Sequence, residues 1–307
     1  MKKLILRANL CPGDILTLTA AVESLHLTYP GEYVTDVRTP SPEIWQHNPR
    51  ITSIDDHDPE AVKLDLQYPS INRCNQEHLP FLGGYTEDLG RQLGRPLSLK
   101  VNRPCLYLSD AERSWVDQVQ HHVTNGRKIS FWLVNAGIKA DYTAKAWPIE
   151  YFQEVVDRTR GRLQWVQIGA PEHSHPPLTG VIDLRGKTDH RQLIRLAWHA
   201  QGGLGPVTYL QHLCAAWEKP YLCLLGGREP VTWTQYPLQH TFHTLGLLSC
   251  CRTAACWRSR VEPSPDHTAS LCDQPVYGLQ RPVAKCMALI RPDQILQVLD
   301  RCIPTTN

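Results

Sequence analysis

Ile129-Ser-Phe-Trp-Leu-Val-Asn-Ala-Gly-Ile-Lys-Ala-Asp-Tyr-Thr-Ala-Lys-Ala-Trp-Pro148 is the stretch of this 307-residue chain whose reading decides its fold class. An unbroken apolar run reads as a buried strand, a small-residue loop carrying Lys139 and Lys145 follows, and Pro148 opens a helix in its first turn. The first N–H groups of a helix have no intrahelical partners and its opening carries partial positive charge. Strand, loop and helix start therefore build a pocket for phosphate, with Lys145 adding a full charge. The species such a pocket suits is a nucleotide diphosphate. Taken singly, Lys139 and Lys145 read equally as solvated surface lysines.

The same arrangement recurs at the start of the chain. Lys3 to Arg7 reads as a strand, Asn9-Leu-Cys-Pro-Gly-Asp14 as a tight turn, and residues 15–29 as a helix stopped by Pro30-Gly31. A strand over 33–38 and helices over 87–93 and 110–123 follow, while residues 95–108, with Pro96 and Pro104, read as the approach to a domain junction. Regular alternation then resumes: strand 129–134, helix 148–160, strands 163–168 and 181–184, helices 189–200 and 209–218, strand 221–225. This order predicts a parallel α/β domain, in which ligands bind beyond the carboxyl ends of the strands.

Lys plus Arg number 32 against 30 acidic residues, so there is no global basic field of the kind a dedicated nucleic-acid binder shows. With 42% apolar residues the chain can build two packed cores. No apolar run reaches bilayer-spanning length, and Met1-Lys-Lys leads straight into a strand, so a soluble cytoplasmic protein with reduced cysteines is expected.

Residues 4–49, with Gly13-Asp14 before an apolar helix ending in Tyr29-Pro30, resemble the opening of the heptosyltransferase family of glycosyltransferases, family nine. Lys145-Ala-Trp-Pro148 with Tyr151-Phe152 resembles its phosphate-binding segment. Ile168-Gly-Ala-Pro-Glu172, Ile182-Asp-Leu-Arg-Gly-Lys-Thr188, His212-Leu-Cys-Ala-Ala-Trp-Glu-Lys-Pro220 and Leu224-Leu-Gly-Gly-Arg-Glu-Pro230 continue the likeness in the family's order. The resemblance implies a GT-B fold: an acceptor-side Rossmann-like domain over 1–126 and a nucleotide-sugar-binding one over 127–307, facing a central cleft. It implies that a sugar of the ADP-heptose type leaves its nucleotide diphosphate for an acceptor nucleophile with inversion. Asp14 matches the family's catalytic base and Lys145 would stabilise the departing diphosphate. A helix cap is the alternative for Asp14. Gly13, Asn135, Ala136, Gly137, Gly169, Glu172, Gly186, Lys187, Thr188, Pro206, Thr208 and His212 fall where the family holds the nucleotide sugar. For Glu172 a solvated loop position is the alternative, and for His212 a core position satisfied by backbone. The chain departs from the pattern at Val207, where the family has an aspartate five residues before the histidine, so the identity of the sugar stays open. The last helix, 292–302, would return to pack on the first domain.

A second signal lies in the Cys-rich segment 249–287. Cys251, Cys256, Cys272 and Cys286 are separated by four, fifteen and thirteen residues in a stretch with little periodicity. Four thiolates on zinc or iron would supply order that apolar burial cannot, with Cys250 competing for the place of Cys251. Buried or free cysteines are the alternative reading. Some family relatives that modify proteins carry a cysteine-bound iron, and such a closed site would be structural, so no catalytic metal is expected. Two other functions remain open beside transfer: a non-catalytic sugar-nucleotide sensor, suggested by Val207, and a nucleic-acid or protein interaction factor built on the cysteine segment. The acceptor and the oligomeric state are not legible.

Overall fold

A computed structural model describes residues 1–114, 118–123, 129–263 and 270–303. In the first half, β1 (Lys2–Arg7) leads into α1 (Pro12–Thr28), followed by β2 (Tyr33–Arg38) and β3 (Ala61–Asp65). β1 lies between the other two strands, parallel to both, with Ile5 opposite Asp36 and Lys63. Pro12 suits the first turn of α1 because its ring presets φ and the N–H it lacks would have no partner there. From Ile15 to Leu25 every residue of α1 is buried, as expected of a helix enclosed on all sides. α2 (Gly84–Leu93) packs against it and ends on Gly94 at φ +65°. The helix expected over 110–123 is present as α3 (Asp110–Ser114) and α4 (Gln118–Val123); residues 115–117 lie outside the described part.

The second half runs β4 (Phe131–Val134), α5 (Ile149–Arg158), β5 (Gln164–Gln167), β6 (Ile182–Asp183), α6 (His190–His199), β7 (Gly202–Pro206), α7 (Tyr209–Ala216), β8 (Tyr221–Gly226), α8 (Val231–Thr234) and β9 (Gln239–His243). Its strands form one parallel sheet in the order β6-β5-β4-β7-β8-β9. β7 was not foreseen, since Gly202-Gly-Leu-Gly-Pro206 has the composition of a turn. The glycines answer to their neighbours: a Cβ on Gly202 would lie 2.7 Å from the Trp132 ring, and one on Gly203 would lie 3.0 Å from the Tyr221 ring. Bulky side chains on the adjoining strands thus occupy the space that β7 leaves free.

After β9 come a short antiparallel pair, β10 (Pro275–Val276) and β11 (Val283–Ala284), then α9 (Lys285–Ala288) and α10 (Pro292–Cys302). α10 does not return to the first half. It packs on α5, burying Ile295 and Leu299 with Phe152 and Val155 while Asp293 and Asp300 pair with Arg158 and Arg162, each at 2.5 Å. Its apolar stripe matches the stripe of α5, and two exposed ion pairs flank the contact.

The two halves share a continuous apolar core, in which Ile15 and Leu16 of α1 meet Leu210 and Leu213 of α7. Residues 95–108 run along this junction, where Arg103 donates to the carbonyl of Ala216 at 2.7 Å. Among the described residues no helix is long and apolar enough to cross a membrane.

Candidate active site

In the larger sheet the chain moves outward from β4 to β5 and β6, then returns to place β7 on the other flank of β4. The order therefore reverses between β4 and β7, and such a switch point opens a crevice at the carboxyl ends of the strands. Asn135 follows β4 and Thr208 follows β7; the Asn135 amide donates to Thr208 Oγ1 at 3.1 Å and Gly137 N–H donates to Asn135 Oδ1 at 3.2 Å. Pro206 ends β7, its carbonyl accepting from Tyr221 Oη at 2.8 Å. Ala136 is buried in the apolar core with Trp147 and presents no side-chain atom to a ligand.

Lys145 comes to the same place. It ends a 3-10 turn (Ala140–Lys145), and Pro148 stands at the cap of α5 rather than within its first turn. The ammonium lies 2.7 Å from Glu229 Oε1 and 3.3 Å from the carbonyl of Val207, so it is held at the ends of β7 and β8. Glu229 also accepts from Arg228, whose guanidinium lies 5.3 Å from the rings of both Tyr142 and Trp257. Burial lowers the Lys145 ammonium, and the charge of Glu229 opposes it. For Glu229 burial acts upward, but Lys145 and Arg228 outweigh it and hold the carboxyl below its usual range.

Asp14 faces this group from the first half, in the opening turn of α1. Cys11 takes the cap position, and the Asp14 carboxyl, three residues on, takes backbone hydrogen bonds in this first turn, so a capping role accompanies its place at the site. Its Oδ1 accepts from Tyr68 Oη at 3.0 Å. Burial pushes the Asp14 carboxyl above the ordinary range, and the Tyr68 hydrogen bond and the Lys145 charge only partly offset this. Asp14 and Lys145 are thus near enough to feel each other's charge. Gly13 lies close against His212: a Cβ there would stand 3.1 Å from His212 Cδ2. His212 is not satisfied by backbone; its Nδ1 pairs with Tyr236 Oη at 2.7 Å, and burial pushes the ring down to about 3, keeping it neutral. Tyr68, Phe81 and Trp233 pack together beside Asp14 and His212, with Phe81 stacked on Trp233 at 5.0 Å.

The remaining expected residues lie farther along the same strand ends. Gly169 follows β5 and Gly186 follows β6, joined by a 2.8 Å bond from Gly186 N–H to the Gly169 carbonyl. His175 had drawn no attention in the sequence. A Cβ on Gly137 would lie 2.0 Å from its Nδ1, and one on Gly169 would lie 2.4 Å from its Cγ, so both glycines make room for this ring. Lys187 donates to the Asp183 carbonyl at 2.8 Å, Glu172 is exposed, and Thr188 is half-buried. The structure thus groups Gly13, Asp14, Asn135, Lys145, Val207, Thr208 and His212 closely, and sets Glu172, Gly186, Lys187 and Thr188 on the β5–β6 side. Arg228 and Glu229 were quoted in the sequence without a role; a charged pair between Gly-Gly and Pro after a wholly apolar strand was the signal that could have singled them out.

In the Cys-rich segment, Cys250, Cys256, Cys272 and Cys286 line one buried cavity of about 10 Å³, about the room one small ion or water needs. Cys251 lies beside this group: its Sγ donates to the Thr244 carbonyl at 3.5 Å, and it is close enough to Cys250 and Cys286 to act on both thiols. Among the described residues no three His, Cys, Asp or Glu groups converge as a ready metal site. Burial, with the neighbouring sulfurs, pushes the Cys286 thiol up to about 12 and the Cys250 thiol up to about 11.

Residues 106–256 match the family model of glycosyltransferase family 9 (heptosyltransferase). No curated protein matches the chain in sequence. Among solved structures, the chain is similar to the ADP-heptose lps heptosyltransferase II of E. coli, at 15% identity and a TM-score of 0.62 over 99% of this chain and 98% of that one. It is similar to a glycosyl transferase of family 9 from Veillonella parvula, at 12% identity and a TM-score of 0.66 over 98% and 97%. The iron-containing dodecameric glycosyltransferase TibC of enterotoxigenic E. coli gives 18% identity and a TM-score of 0.66 over 98% of this chain and 78% of that one. These likenesses carry the α/β GT-B architecture.

Proposed function

We propose, from the premise that this chain is a member of glycosyltransferase family 9 and hence a transferase, that it moves a sugar of the ADP-heptose type from its nucleotide diphosphate to an acceptor nucleophile with inversion. The observation that carries the proposal is the opposition of Asp14 and Lys145 across the junction of the two halves, at the switch point of the larger sheet. Residues 1–126 would serve the acceptor and residues 127–307 the donor. As the glycosidic bond breaks, charge grows on the leaving diphosphate, and a buried cation stabilises that charge more than it stabilises the ground state. Asp14, its carboxyl raised by burial, takes the acceptor's proton from the opposite side. Tyr68 orients that carboxylate through its hydrogen bond. Gly137, Gly169, Glu172, Gly186, Lys187 and Thr188 would hold the nucleoside end.

The cysteine donor set suits zinc or iron, and the shared cavity supports Cys250, Cys256, Cys272 and Cys286 as the residues that would hold it. A metal held there would order the segment.

The test is nucleotide release from a panel of nucleotide sugars, ADP-heptose among them, offered with candidate acceptors. Release that Lys145→Ala abolishes supports transfer. A second reading, a sugar-nucleotide sensor, is favoured by Val207 and by the engagement of Lys145 with Glu229; tight nucleotide binding without turnover under any acceptor would select it.

A further inference from the structure

We propose that Glu229 is a positioning residue of the donor cradle: it ties the Lys145 ammonium to the Arg228 guanidinium at the ends of β7 and β8, keeping a cation in place for a diphosphate. The inference rests on the donor-site reading above. Glu229 Oε1 lies 2.7 Å from Lys145 Nζ and also accepts from Arg228 Nη1. Glu229 and Arg228 are buried, with exposures of 5% and 8%, and Lys145 is partly buried at 18%. A lysine withdrawn from water without a partner would give up its proton or turn outward, so the carboxylate is what allows a charged lysine here. Two cations share one carboxylate, which leaves one positive charge facing Asp14.

The loop bearing Glu229 is itself fixed. Gly226 stands at φ +64°, and a Cβ on Gly227 would lie 2.7 Å from Cys251 Sγ, so the turn is pressed against the cysteine segment. Cys256 N–H donates to the Gly227 carbonyl at 3.2 Å and Trp257 N–H to the Arg228 carbonyl at 3.0 Å. Arg228 Nε returns a bond to the Arg258 carbonyl at 2.7 Å, and Ala144 N–H donates to the Ser259 carbonyl at 3.0 Å. One stretch, 256–259, therefore clamps the loop carrying Glu229 and the loop carrying Lys145 at a set separation. The ammonium that reaches the Val207 carbonyl also meets a carboxylate from the next strand's loop.

The experiment follows ADP binding by calorimetry from about pH 7 to about pH 9. The titratable and charged groups facing Lys145 are Glu229 and Arg228 from the loop after β8, Asp14 from α1, Tyr142 from its own turn at 5.5 Å, and Cys223 of β8, whose thiol burial pushes up, while His212 from α7 is neutral throughout this range. Removing the Glu229 charge makes the buried ammonium easier to deprotonate. In Glu229→Gln, affinity should fall over this range about tenfold more than in the wild type, a step equivalent to one pKa unit on Lys145. Adding Lys145→Arg should remove that extra dependence, since a guanidinium stays charged. Glu229→Asp keeps the charge but retracts it by one carbon and covers the case in which the glutamine variant fails to fold; it should move the alkaline limb the same way by a smaller step. Unmoved limbs in the folded variants, with wild-type binding intact, overturn the role of Glu229 alone. No ADP binding by the wild type at any pH overturns the donor-site reading together with this inference.

Discussion

Tyr68→Phe deletes one hydroxyl and keeps the ring that packs at 4.9 Å from Phe81 and 5.3 Å from Tyr85. Its chemical effect falls on Asp14, whose Oδ1 accepts from that hydroxyl at 3.0 Å. A hydrogen bond to a charged acceptor contributes about 1.5–3 kcal/mol and one to a neutral acceptor about 0.5–1.5 kcal/mol. The hydroxyl thus favours the ionised carboxylate by about 1–1.5 kcal/mol, which corresponds to about one pH unit. If Asp14 is the base, turnover rises with pH as its carboxyl ionises, and the variant's acid limb must lie about one pH unit higher than the wild type's. The plateau above the limb should change little. The assay is the pH profile of kcat/KM by nucleotide release, with circular dichroism to establish that the variant is folded. An acid limb that stays put, or moves to lower pH, refutes the assignment of Asp14 as base and of Tyr68 as the group that tunes it.

Asp14→Asn should lower kcat by about 10²–10⁴, the usual worth of a general base, as read by nucleotide release. Because burial raises the folded-state carboxyl above its unfolded value, ionisation of Asp14 opposes folding, and that cost is fully present only above the folded pKa. The asparagine variant should therefore melt no lower than the wild type at neutral pH, with the difference vanishing as pH falls below about 4, and a large drop in Tm would contradict this. Gly169→Ala puts a Cβ 2.4 Å from His175 Cγ and should cost about 1–3 kcal/mol by overpacking, measured by urea denaturation; an unchanged midpoint would show that the loop bearing His175 yields freely. Purified without affinity metals, the protein should carry about one equivalent of zinc or iron by elemental analysis, and chelation should weaken ADP binding as well as lower Tm, because stretch 256–259 clamps both cradle loops.

The sequence was most readable where local geometry and burial agree. β2 and α10 fall on the predicted residues, and Gly13-Asp14 and Lys145 could be named because proline and glycine punctuate the turns that carry them and because those turns resemble the family's motifs. β7 was hidden because its glycines are demanded by Trp132 and Tyr221, residues far off in sequence that no window around Gly202 includes. The mistaken destination of α10 has a similar cause: an apolar stripe shows that a helix must pack, not which of two cores will take it.

At the site, position was legible and pairing was not. Lys145 could be expected at a strand end, but whether its charge is free or countered depends on Glu229, which lies 84 residues later and is brought over by the adjacency of β7 and β8. Cys250 and Cys251 are indistinguishable by spacing, and folding keeps both beside the other sulfurs: one lines the cavity, while its neighbour bonds the Thr244 carbonyl within reach of Cys250 and Cys286. Val207 stands where the family's pattern has an acid, and a pattern read along the chain shows what is missing at one position but not what a neighbouring strand supplies. The Glu229 carboxylate reaches the ammonium beside Val207 from the loop after β8, so the site keeps a buried carboxylate whatever residue stands at 207.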